Sequence, residues 1–198
     1  LFMWMAAEAA IPLVSLAIWY TVAQSKAAPL SALDTFTYYV IIMFVIIVTN
    51  AWNGFFLARS ILNGDIVQYL TRPISPFWPH IANNVLEKGM KLLIPLPILL
   101  LVIARFPQFF SPAIFEPRHL VLFLISLLLA AFLAFVLDMH FGVLAFWLAD
   151  ATQLRRYKDI LQQATSGILI PLAFIPATIK PIFAALPFRY IGSAPAEI

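Results

Sequence analysis

A chain of 198 residues that is 63% hydrophobic and 11% charged, with a mean hydropathy of +0.96, lies outside soluble domains, where charged residues make up about 25%. The net charge of +3 comes with no Lys/Arg block beyond Arg155-Arg156-Tyr157-Lys158, which argues against a nucleic-acid partner, and the lack of cysteine excludes disulfides and thiolate metal sites. Long continuous apolar runs predict an all-α fold, a polytopic transmembrane helix bundle, because barrel strands alternate in segments of about ten residues.

A spanning helix needs about 20 largely uncharged residues, so charges bound the spans. The first runs over 1–23, with Pro12 as a bend. It opens on Leu1 with no basic flank and no cleavable signal, which reads as a chain missing its beginning. The second covers 36–58, with Tyr38, Tyr39 and Trp52 near its ends as interface anchors. The third, 85–105, holds Pro95 and Pro97 and reaches full length only if Lys88, Lys91 and Arg105 snorkel. The fourth, 119–149, is too long for one upright helix and must tilt, protrude or break near Asp138. Ala130, Ala131 and Ala134 give it a small-residue face for close packing. Asp150 to Asp159 reads as a polar connection, followed by a fifth apolar run over 160–179. The segment 171–195 is too proline-rich and too short to cross, and fits a re-entrant hairpin.

Between the second and third spans lies a polar stretch, 59–84, that cannot sit in lipid. Asn63-Gly64 is a break, and Asp65 offers an acceptor to a short helix through Tyr69. Arg72-Pro73 ends that helix. Ser75-Pro76 then reads as a new N-cap, launching a helix towards Lys91. On this side of the bilayer stand Arg59, Arg72, Lys88, Lys91, Arg155, Arg156 and Lys158, against Lys26, Arg105, Arg118, Lys180 and Arg189 on the other. The excess places 59–84 in the cytoplasm.

The spacing Gly64, Asp65, Leu70, Arg72, Pro73 after the second span resembles a stretch in the membrane subunits of type-2 ATP-binding-cassette (ABC) exporters, closest to the daunorubicin and multidrug permease branch. Two further patches match: Ala145-Phe146-Trp147 at the end of the fourth span, and Ser166-Gly167 with Pro171, Pro176, Leu186-Pro187-Phe188 and Pro195. The resemblance implies that Gly64, Asp65, Tyr69, Leu70, Arg72 and Pro73 form a coupling segment against a separate ABC ATPase subunit. It implies an extracellular re-entrant hairpin marked by Gly167, Pro171, Pro176, Pro187 and Phe188, and a sixth span absent here. It further implies pairing with a second permease subunit, as homodimer or heterodimer, in the cell inner or plasma membrane, surrounded by lipid.

No phosphate-binding G-x-x-x-x-G-K-[ST] exists, so ATP and Mg belong to the partner and this chain binds no cofactor of its own. No nucleophile elbow or H-E-x-x-H occurs, and His80, His119 and His140 lack metal-ligand spacing. A carboxylate at Asp138 costs about 2.5–3.5 kcal/mol inside a spanning helix, so it faces protein or water. It either lines a substrate pathway with Phe146 and Trp147, attracting cationic compounds, or is paired with a neighbouring helix. The expected function is the permease subunit of an ABC exporter, not an enzyme. The alternatives are a structural subunit of a membrane complex and, with no reactive constellation to support it, a membrane-embedded enzyme.

Overall fold

A computed structural model describes residues 2–25, 28–71, 75–110, 115–148 and 151–198; Arg72 and Pro73 of the expected coupling segment therefore lie outside the described residues. The described residues are helical, without strands. Helix α1 (Phe2–Ala23) passes through Pro12. Helix α2 (Ala32–Thr49) starts at Ser31, whose hydroxyl accepts the Asp34 N–H at 3.1 Å and donates to the Asp34 carboxylate at 2.7 Å. Ser31→Ala removes that cap and is expected to cost about 1 kcal/mol in thermal unfolding of the detergent-solubilised chain.

Helix α2 is the centre of the bundle. Tyr39, Ile42 and Val45 are fully buried, packed among α1, the helix Pro95–Arg105 and α7 (Pro117–Val143). The apolar stretch continues as α3 (Asn53–Leu62), but α2 and α3 are two helices, with extended backbone at Asn50 between them. Together Ala32–Leu62 is long and apolar enough to cross a membrane, and so is Pro117–Phe146. Ala130, Ala131 and Ala134 are the buried face of α7, while Leu128, Leu129 and Phe132 on its other face stay exposed. An exposed row of large hydrocarbon side chains is stable against lipid rather than water.

Elsewhere the helices depart from the expected spans. The third is two helices, α5 (Trp78–Leu92) and α6 (Pro95–Arg105), because Pro95 starts a new helix after Leu93-Ile94. Helix α5 begins two residues after Pro76, with Ser75 accepting the Phe77 N–H at 3.4 Å. The fourth does not break at Asp138: α7 is continuous to Val143 and ends in a 3-10 turn over Leu144–Phe146. The expected polar connection before the fifth run is helical, as α8 (Ala151–Thr165).

The apolar residues after α8 leave the helix, because Gly167 turns the backbone to φ +90° and Pro171 and Pro176 remove donors. Their carbonyls are satisfied by rings from α1 and α2. Tyr38 Oη donates to Gly167 O at 2.9 Å, and Trp19 Nε1 donates to Leu169 O at 2.8 Å. A 3-10 turn (Leu172–Phe174) and the short helices α9 (Lys180–Ala185), α10 (Pro187–Ile191) and α11 (Ser193–Ala196) complete the chain. The path folds back on itself, since the Ser193 N–H donates to Ser166 O at 2.8 Å. Pro187 opens α10, and Phe188 is buried beside Ala134 and Ile191. Pro171 is buried; Pro176 is exposed.

Candidate functional site

The gap between α2 and α3 leaves helix ends inside the bundle, where orphan carbonyls and amides need partners. Each end receives the charge that its dipole favours. At the C-terminal end of α2, Lys88 Nζ donates to Val48 O at 2.6 Å and to Asn50 O at 3.3 Å. At the N-terminal end of α3, the Gly54 N–H donates to Asp138 Oδ2 at 2.6 Å. Lys88 comes from α5 and Asp138 from α7, so the interruption in one helix is completed by two others. Lys88 thus turns inward to carbonyls instead of snorkelling. Lys91 is buried too, 3.0 Å from Glu87 and 3.5 Å from Glu8 of α1. Glu8 Oε1 also accepts from Asn50 Nδ2 at 2.7 Å.

Asp138 is fully buried. Its Oδ1 faces two cations of α8, Arg155 Nε at 3.3 Å and Lys158 Nζ at 3.2 Å. Lys158 also meets Asp159 at 2.9 Å. The Arg155 guanidinium lies over the Trp52 ring, 4.6 Å from its centroid, which ties α8 to the interruption a second time. Helix α8 is therefore turned inside out, burying Lys158 and exposing Tyr157, Ile160 and Leu161. Small residues let the backbones meet here. A Cβ on Gly54 would fall 2.0 Å from Asp138 O, and one on Gly142 would fall 2.6 Å from Gly54 O.

Beside this junction is a cavity of about 270 Å³. Its wall includes Glu8, Asn50, Trp52, Arg155, Asp159, Gln162, Gln163 and Ser166, and Ile11, Ile46, Ile168 and Ile191 give it apolar surface. Asp138 is not on that wall, but its partner Arg155 is. Phe146 and Trp147 are mutually edge-on at 6.0 Å, exposed at the end of α7, and not among the lining residues either.

The coupling segment expected from the sequence is an exposed turn. Gly64 takes φ +79°, a left-handed conformation, with open space where a Cβ would stand. Asp65 is exposed and does not cap the following helix, because the cap position of α4 (Val67–Leu70) falls one residue later, on Ile66. Tyr69 is half-buried. Ile66 is buried against Leu57 of α3 and Met139 of α7, so the turn is pinned to the residue that follows Asp138. Leu62 and Val67 stay exposed on either side.

Sequence reasoning found the turn and weighed a paired Asp138, but not Gly54, Lys88, Arg155, Gln162 or Gln163. The available signal was the single glycines at 54 and 142 in apolar helices, each facing a close backbone. Among the described residues, no three His, Asp or Glu side chains come together as metal ligands. A family model described as ABC-2 family transporter protein matches residues 30–198. No curated protein and no solved structure matches the chain.

Proposed function

As the chain belongs to the ABC-2 family of transporter proteins and is a membrane permease of that type, we propose that it forms the translocation route of an ABC exporter and is driven by a separate ATPase subunit. ATP and Mg are bound by that partner, and two permease chains work together in the plasma membrane. The observation that carries this reading is the end of α3 and the turn after it, 62–70. It presents Leu62 and Val67 outward, and its inward residue Ile66 rests on Leu57 and Met139. A push on the turn is transmitted through Ile66 to α3 and α7. These are the helices joined by the Gly54 to Asp138 hydrogen bond, next to the cavity wall at Asn50 and Trp52. Packed cores shift between discrete arrangements rather than deforming smoothly, so a displacement at the turn becomes a change at the junction. The segment 166–193, closed by Tyr38 and Ser193, bounds the cavity through Ser166 and Ile191.

The lack of cysteine makes the test direct. Val67→Cys, as the sole thiol, is expected to react with an impermeant maleimide from the cytoplasmic side and to cross-link to the co-expressed ATPase. Labelling from the outer side alone overturns the coupling assignment. Cytoplasmic labelling with no ATPase bound to the permease leaves a structural role in a membrane complex as the better reading.

A further inference from the structure

We infer that the cavity beside the α2/α3 interruption is a binding site for a net-neutral amphiphile with a hydroxyl-rich head and a hydrocarbon body, which deepens and rests on the permease reading above. The wall has three charged side chains, and each already faces an opposite charge: Glu8 with Lys91, Arg155 with Asp138, and Asp159 with Lys158. A ligand with net charge would give up hydration to enter a site whose charges are already matched, with no counter-charge left to repay that loss. The carboxylates that would attract a cation are committed.

What is uncommitted on the wall is neutral and polar. Gln162 and Gln163 are half-buried, and neither side chain has a hydrogen-bond partner among the described residues. Ser166 Oγ is buried without a hydrogen-bond partner among the described residues. Two amides and a hydroxyl supply donors and acceptors together, and a hydroxyl is the ligand group that uses both from one atom. Buried polar groups left unpaired favour any ligand that pairs them and reject an analogue that cannot. On the same wall, Ile11, Ile46, Ile168 and Ile191 offer contact to hydrocarbon.

The test uses the full chain with its ATPase partner in lipid nanodiscs, titrated calorimetrically with hexyl β-glucoside, hexylammonium or hexyl sulfate, with empty nanodiscs subtracted for partitioning. The glucoside is expected to bind saturably and at least about tenfold more tightly than either charged analogue. Joint Gln162→Leu and Gln163→Leu is expected to weaken it by about tenfold, the worth of one to two hydrogen bonds. If that variant does not assemble, Ile11→Phe, which crowds the apolar wall, is expected to weaken glucoside binding while the complex persists. Equal or tighter binding of a charged analogue, no saturable glucoside binding, or glucoside binding unchanged in the variant tested overturns the inference. Loss of ATPase cross-linking with glucoside binding intact instead sinks the coupling reading and leaves the cavity assignment standing.

Discussion

Asp138→Asn is expected to lower the stability of the folded chain by about 3–5 kcal/mol, because it leaves the buried Lys158 and the partly buried Arg155 facing an amide. The carboxylate has 0% exposure and neutralises two side chains of α8 while capping α3. Removing one member of such a set is far costlier than removing the set together. Thermal unfolding in detergent measures this, and Asp138→Asn combined with Lys158→Met separates the pairing from the cap. The double variant is expected to be destabilised by less than the sum of its two single changes, by about 1–3 kcal/mol. Strict additivity would show that the pairing contributes nothing. The fraction of Asp138→Asn protein that still folds is expected to favour neutral over cationic compounds more than the wild type does, since Arg155 on the cavity wall has then lost its carboxylate partner.

Gly54→Ala is expected to exceed the roughly 1–3 kcal/mol of ordinary overpacking and to deplete folded protein. The added methyl would meet Asp138 O at 2.0 Å and Asp138 C at 2.7 Å, both backbone atoms that cannot rotate away. Separating α3 from α7 to make room would also stretch the Gly54 N–H from Asp138 Oδ2 and loosen Gly142, which rests on the same backbone. Gly89→Ala is the control. It lies within α5 with nothing inside 4 Å of its added carbon, and is expected to stabilise by about 0.5–1 kcal/mol through helix propensity. A Gly54→Ala protein that melts with the wild type would show that the close crossing does not persist in solution.

The helical class was legible because uninterrupted apolar residues of this length have few other uses, and α7 carries that signal over Pro117–Val143. The turn at Gly64 was legible because an Asn-Gly pair punctuates the chain locally. The interruption of α2 was not, because neither proline nor glycine stands at Asn50, Ala51 or Trp52. Its causes are tertiary: Lys88 and Asp138 lie 38 and 84 residues from the groups they bind. Helix α8 was misread for a related reason. A string of charges usually means a solvated connection, and only a buried carboxylate on another helix makes Arg155 and Lys158 residents of the interior. Asp138 likewise neither broke nor displaced α7, because the compensating charge was brought to it.

Because the two caps of the α2/α3 interruption belong to α5 and α7, drawing those helices apart would strand a lysine, an aspartate and several peptide groups at once. The interruption thus behaves as a latch with two keepers. While both are engaged, α2 and α3 are held as two helices that meet at Asn50; with either withdrawn, the freed peptide groups would be satisfied by continuing one helix into the other. Switching between jointed and straight would give a permease two mechanically distinct settings without melting a single long helix.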